Sequence, residues 1–461
     1  MLSTNNQRET LASRLGFIFL SAGCAIGLGN VWRFSYIVGK YGGAAFVLIY
    51  LFFLIFLCAP IMVMEFAVGR ASQRSVATSF KTLKPTDKKW SVFGYTALAG
   101  NYILMMFYTT VSGWIFAYLW YSIVGKLSVL PQDETAAFFS AMLANPVTLV
   151  FWMFLVVLLG ILICIIGLRN GVERITKIMM VGLITSMLLL AIRSMTLPGA
   201  GAGLEFYLKP DLGKLTENGV WTSVYAALGQ SFFTLSLGIG SMAIFGSYIG
   251  KERSLTGETI WVVSLDTFVA FVAGLVIFPA CFAYGVDVGS GPGLIFILLP
   301  NMFNNMPYGQ LWCSLFFLFM GFAVLSTVVA VFEHIIANLM DIFGWSRKKA
   351  SIVGFFTIFA LSLPCALGFN VWSSFAPLGA GTSVLDLEDF IVSNNILPLG
   401  SLAYLIFCTT RYGWGWDNFI AEADAGIGMK FPKFLRYYLV YCVPLIFIVI
   451  FVYNYAEKFF K

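Results

Sequence analysis

Two glycine-rich segments hold the residues best suited to chemistry in this sequence. One is Gly23-Cys24-Ala25-Ile26-Gly27-Leu28-Gly29-Asn30, and the other is Phe233-Thr234-Leu235-Ser236-Leu237-Gly238-Ile239-Gly240. Each interrupts an apolar run of membrane-helix length. Glycine at such spacing also serves close helix packing. The two segments, however, lie at matching positions of two five-helix halves, which favours broken helices. A break within lipid frees N–H and C=O groups, and these are tolerated only around a polar cavity or a ligand. Freed N–H groups suit a carboxylate, and freed carbonyls suit Na⁺.

Other chemistries find little material. His334 is the one histidine, and a lone histidine cannot build a zinc site; it reads as structural. The eight cysteines (Cys24, Cys58, Cys164, Cys281, Cys313, Cys365, Cys408, Cys442) all fall in apolar runs, so neither external disulfides nor a CxxC metal site is expected. There is no phosphate-binding loop, so an enzyme is not expected.

The elements that position these segments follow from composition. The chain has 461 residues, 59% hydrophobic and 11% charged, whereas soluble proteins are about 25% charged. Lipid is therefore its solvent. Apolar runs predict eleven membrane helices at 12–38, 43–70, 90–123, 148–168, 172–195, 220–249, 257–284, 309–342, 350–370, 387–410 and 434–457. Continuous apolar runs exclude a β-barrel, whose strands alternate. The expected architecture is one all-α polytopic membrane domain, 1–461. It comprises a repeat at about 12–195, a second at about 220–410, and an extra helix at about 434–457. External segments near 125–147, 196–218, 286–308 and 371–386 are too short for soluble domains.

Segments 1–14, 70–89, 168–177, 250–257, 344–349 and 411–436 hold 20 of the 28 Lys and Arg residues. The positive-inside rule makes them cytoplasmic. The N-terminus is then cytoplasmic and, with eleven helices, the C-terminus external, in the inner (plasma) membrane. The charge runs anchor topology, and nucleic acid is not an expected partner. The polar start and the lack of an Ala-x-Ala-like site predict an uncleaved first helix.

These residues resemble the neurotransmitter:sodium symporter family. The resemblance runs through Arg14-Leu15-Gly16, Gly27-Leu28-Gly29-Asn30-Val31-Trp32-Arg33-Phe34 and Tyr41-Gly42-Gly43-Ala44-Ala45-Phe46. It continues in Glu65-Phe66-Ala67-Val68-Gly69-Arg70, Gln230-Ser231-Phe232-Phe233-Thr234-Leu235-Ser236 and Ser346-Arg347-Lys348. It implies the 5+5 inverted-repeat, leucine-transporter-like fold with helices 1 and 6 broken. Eleven helices is the pattern of many bacterial members.

The resemblance implies two sodium sites. The first would use the Ala25 carbonyl, the Asn30 amide, Thr234, Asp266 and the substrate carboxylate. The second would use the carbonyls of Gly23, Ile26 and Ala323 with the Ser326 and Thr327 hydroxyls. Taken alone, those two hydroxyls would read as bonded back to their own helix. Asp266 stands where several relatives have asparagine, and a carboxylate mid-membrane is functional by default. Ala270 stands where chloride-dependent members carry a serine. Asp266 is therefore expected to supply the negative charge itself, without chloride.

Gly27 stands where monoamine carriers place an aspartate, so the implied substrate brings its own carboxylate, as an α-amino acid does. Its carboxylate would meet the Leu28 and Gly29 amides and the Tyr108 hydroxyl. Its ammonium would meet the carbonyls of Ala25, Phe233 and Ser236, and the Thr327 hydroxyl. Leu104, Tyr108, Phe233, Ile239 and Val331 would line an uncharged side-chain pocket, which favours hydrophobic amino acids. Cys24 replaces an asparagine of the leucine transporter and would reshape that subsite. Arg33 and Asp389 would form an outer gate above a lid of Tyr108 and Phe233; Arg8 and Asp341, supported by Tyr248, would form an inner one. Glu65 would cap freed amides of helix 1. The expected function is sodium-coupled import of neutral hydrophobic amino acids, with a membrane sensor or interaction protein of the same fold as the alternative. A channel is disfavoured by the paired gates. The sequence does not speak to oligomeric state.

Overall fold

The computed structural model describes residues 8–131, 133–217, 219–285, 288 and 293–460. Of the cytoplasmic segment expected at 1–14, residues 1–7 lie outside the described residues, as do parts of the external segment at 286–308. Among the described residues there are no strands, only an isolated bridge between Arg253 and Ile427.

In chain order the spans are α1 (Arg14–Ala25 and Gly29–Lys40), α2 (Ala44–Ser72), α3 (Trp90–Ile123), α4 (Pro146–Ile165) and α5 (Leu168–Met195). They continue with α6 (Val220–Thr234 and Ser241–Gly246), α7 (Leu255–Ala283), α8 (Gly309–Phe343), α9 (Arg347–Leu367), α10 (Val384–Thr409) and α11 (Lys433–Tyr453). Among the described residues, nine helices are long and apolar enough to cross a membrane unaided. The halves of α1 make a tenth span, bent by 57°. The expected sixth helix is present in two pieces of 15 and 6 residues, each too short to cross by itself.

Local sequence explains where the helices start and break. The Ser13 hydroxyl accepts from the Gly16 amide at 3.0 Å and caps α1. At Ile26 the chain turns extended, with φ −72° and ψ 102°. In α6 the break carries positive φ at Ser236, Gly238 and Gly240. Gly238 is needed there for space as well as for φ, because a Cβ would strike the Leu397 carbonyl of α10.

The centre of the bundle is α3 and α8, whose most apolar windows are 72% and 78% buried; α11, at 18%, is peripheral. α8 packs on α3, α5 and α1 and so faces both breaks. α2 lies against the second half of α6, where a Cβ on Gly69 would collide with the Ala243 carbonyl. π-helical turns occur at Gly29–Arg33 in α1 and at Val392–Ile396 in α10. Such turns re-aim side chains at functional sites.

Candidate functional site

The two breaks face one narrow cavity. Its walls come from Cys24, Ala25, Gly27, Leu28 and Gly29 of α1, Leu104 and Tyr108 of α3, and Phe233, Ser236 and Ile239 of α6. Thr327 of α8 and Val392 and Leu397 of α10 complete them. Ten of the residues expected around the substrate are thus brought together. Val331, expected to line the pocket, is buried one turn beyond Thr327 and lies outside the lining. Thr234 also stands back from the cavity, turned to Asp266. Val392 and Leu397 escaped the sequence reading, because ordinary helical spacing does not show which face an interrupted α10 presents.

The polar groups of the cavity belong to the breaks. The Leu28 amide donates to the Tyr108 hydroxyl at 3.2 Å, and the Ser236 hydroxyl donates to the Cys24 carbonyl at 3.4 Å. Gly27 must be glycine here, since a Cβ would meet the hydroxyls of Tyr108 and Thr327.

Beside the cavity, side chains from α1 and α6 converge on one carboxylate of α7. Asn30 Nδ2 donates to Asp266 Oδ1 at 2.8 Å, and Thr234 Oγ1 donates to Asp266 Oδ2 at 3.1 Å. All three residues are fully buried. The Gly27 amide donates to Asn30 Oδ1 at 3.2 Å, which fixes the orientation of the Asn30 side chain. Ala25 stands at the end of the first half of α1. The Asp266 carboxylate and the Thr234 hydroxyl offer oxygen, the kind of ligand that holds a hard cation.

A second group gathers on Thr327. Its hydroxyl lies 3.2 Å from the Gly23 carbonyl, 3.1 Å from that of Ile26 and 3.3 Å from that of Ala323. The Ser326 hydroxyl donates to the same Ala323 carbonyl at 2.9 Å. One hydroxyl proton cannot serve three carbonyls well. The surplus of buried oxygen lone pairs again suits a cation.

Charged pairs sit on both sides. Arg33 Nη1 lies 3.9 Å from Asp389 Oδ1, and its guanidinium lies 4.3 Å from the centre of the Phe233 ring. On the other side Arg8 Nη1 reaches Asp341 at 2.8 Å and Arg8 Nε donates to Ser247 at 3.2 Å. The Arg8 guanidinium lies 5.0 Å from the Tyr248 ring centre, and the Tyr248 hydroxyl donates to Glu333 at 2.7 Å.

The Glu65 expectation needs correction. Placed at the break of α1 by the sequence reading, its carboxylate instead accepts from the Gly238 amide in the break of α6. The reason is Gly69, one turn on, which lets α2 touch the second half of α6. The α1 break has a support the sequence reading missed: Gln230 Nε2 donates to the Gly29 carbonyl at 2.8 Å. Asn101 does the same for α6, donating to the Ile239 carbonyl at 2.8 Å. A buried amide in an apolar helix was the available signal for Asn101.

Comparison with known proteins agrees with this geometry. Residues 8–135 and 132–459 match the model of the sodium:neurotransmitter symporter family. A sodium-dependent transporter of Bacillus subtilis (strain 168) is 35% identical over 442 residues, covering 95% of this chain and 96% of that protein. The sodium- and chloride-dependent taurine transporter of Bos taurus is 27% identical over 95% of this chain and 77% of its own. Among solved structures, MhsT in complex with L-phenylalanine superposes with a TM-score of 0.87 at 38% identity, covering 97% of this chain and 99% of that one. This chain belongs to the sodium:neurotransmitter symporter family and is a multi-pass, sodium-dependent membrane transporter.

Proposed function

We propose that this protein imports neutral hydrophobic amino acids, aliphatic or aromatic, coupled to sodium and without chloride. The observation that carries this reading is the lining of the cavity. Its side chains are mostly apolar, among them Leu104, Phe233, Ile239, Val392 and Leu397; the Tyr108, Ser236 and Thr327 hydroxyls and the Cys24 thiol are uncharged, and no charged side chain lines it. A charged substrate side chain would be desolvated there without a partner. A relative solved with L-phenylalanine adds support.

In this reading the amino-acid carboxylate takes the Leu28 and Gly29 amides and displaces Leu28 from the Tyr108 hydroxyl, which then donates to the carboxylate. The ammonium takes the carbonyls of Ala25, Phe233 and Ser236, with Thr327 nearby. One Na⁺ binds among Ala25, Asn30, Thr234, Asp266 and the carboxylate. A second binds among Gly23, Ile26, Ala323, Ser326 and Thr327. The ionised Asp266 balances the first sodium, which is the role an anion would otherwise take.

Alternating access follows from the two pairs. Arg33 with Asp389, over Phe233, closes the outside; Arg8 with Asp341, braced by Tyr248, closes the inside. The outer side chains are 26% and 37% exposed, the inner ones 12% and 10%. Exposed pairs contribute about 0–1 kcal/mol, so the direct Arg33–Asp389 attraction by itself holds the outside only weakly. The chain works as a single domain of two five-helix repeats, about 12–195 and 220–410, with α11 appended. It sits in the inner membrane, N-terminus cytoplasmic and C-terminus external.

The test is uptake of radiolabelled amino acids into proteoliposomes. Phenylalanine, leucine and their like are expected to enter only down an inward sodium gradient, equally well in chloride or gluconate. Sodium-independent entry, or preference for a charged amino acid, would overturn the reading.

A further inference from the structure

The outer charge pair is not in direct contact. The Arg33 to Asp389 distance of 3.9 Å is beyond hydrogen-bond reach. Ser393 fills the gap. Arg33 Nη1 donates to Ser393 Oγ at 3.1 Å, and Ser393 Oγ donates to Asp389 Oδ1 at 2.6 Å. A hydroxyl can do both at once, since it has one proton to give and lone pairs to receive. Both bonds involve a charged partner, which makes them the stronger kind. Ser393 is 6% exposed, far less than either charge it joins. The hydroxyl is therefore shielded from water, although the two charges it joins are not.

The position of Ser393 depends on the π-helical turn Val392–Ile396. That turn adds a residue to the helical circuit and rotates everything after it. Its first member, Val392, is fully buried and forms part of the cavity wall. Its second, Ser393, is the bridge. Its third is tied to α6, where Asn394 Nδ2 donates to the Tyr225 hydroxyl at 2.8 Å. One short turn thus touches the cavity, the outer pair and the α6 half that carries Phe233.

We propose that Ser393 is a positioning residue of the outer gate. It joins Arg33 to Asp389, and its neighbour Val392 makes the join sensitive to what fills the cavity. A substrate side chain packed against Val392 holds the turn in the register that presents the Ser393 hydroxyl to both charges. An empty cavity leaves the turn free to shift, and the outer pair then parts. The inference rests on the reading of Arg33 and Asp389 as an outer gate.

Cys24 in the cavity wall is a native reporter of outside access. The full chain carrying Cys442→Ala, which removes the exposed thiol, is reconstituted in proteoliposomes and treated from outside with a membrane-impermeant methanethiosulfonate. In sodium, Ser393→Ala is expected to speed Cys24 modification about tenfold and to raise the phenylalanine KM more than it lowers kcat. Ser393→Thr, which keeps the hydroxyl, is expected to restore both. Ser393→Ala behaving as the parent, while Asp389→Asn speeds modification, would overturn the role of Ser393 and leave the gate standing. No change in either variant would overturn the gate and the bridge together.

Discussion

Asn30 Nδ2 and Asp266 Oδ1 stand 2.8 Å apart, joining the break of α1 to the middle of α7 in a fully buried position. An ionised carboxylate in such a place needs a counter-charge, and no Lys or Arg lies in α7 itself. Sodium bound against the Asp266 carboxylate would supply it. Asp266→Asn is expected to keep the hydrogen bonds to Asn30 and Thr234 but remove the charge. Half-saturating sodium for uptake should rise by about tenfold or more, while the parent is unaffected by replacing chloride with gluconate. A sodium titration of uptake in both media checks this, and unchanged sodium dependence in the variant would contradict it.

The Thr327 hydroxyl faces three carbonyls at 3.1 to 3.3 Å. Thr327→Val keeps the shape and removes one oxygen. Loss of one such ligand is worth about 1–3 kcal/mol, so half-saturating sodium should rise about tenfold or more with the protein still folded. Ser326→Ala should act in the same direction. Isotopic ²²Na binding, together with the elution profile in detergent, measures the two effects separately.

Gly27→Ala places a methyl against the Tyr108 and Thr327 hydroxyls. Overpacking of a tight site costs about 1–3 kcal/mol, and here it falls where the substrate would bind. Uptake should be lost, whereas the melting temperature should drop by only a few degrees. Full uptake by this variant would mean that the cavity is wider in use than its closed walls suggest.

On the inner side, Asp341 accepts from Arg8 and, at 2.6 Å, from the Ser75 amide. Arg8→Ala leaves that carboxylate mostly buried with a single donor, so the inner side should loosen. Modification of Cys24 from the cytoplasmic face of inside-out vesicles should quicken about tenfold, with uptake lost. An unchanged rate would remove Arg8 from the gate.

The sequence alone determined the helices, because runs of apolar residues of spanning length have no other stable use. It also located both breaks, since glycines at 23, 27 and 29 and at 238 and 240 remove the side chains that hold a helix closed and packed. The resemblance also named the oxygen-bearing residues that the structure gathers around Asp266 and Thr327.

Tertiary structure decided the partners. Glu65 serves α6 because Gly69 allows α2 to approach that helix, a fact about contact between two elements distant in sequence. Val331 was placed in the cavity wall by the family resemblance, yet Val392 and Leu397 of α10 complete that wall without it. Ser393 could not be read at all: a π-turn shifts the helical register by one residue, and only the packed neighbours show where the shifted hydroxyl points. Sequence fixes what a segment can do locally through backbone sterics and burial, while the choice among buried donors and acceptors is made by which helices reach each other.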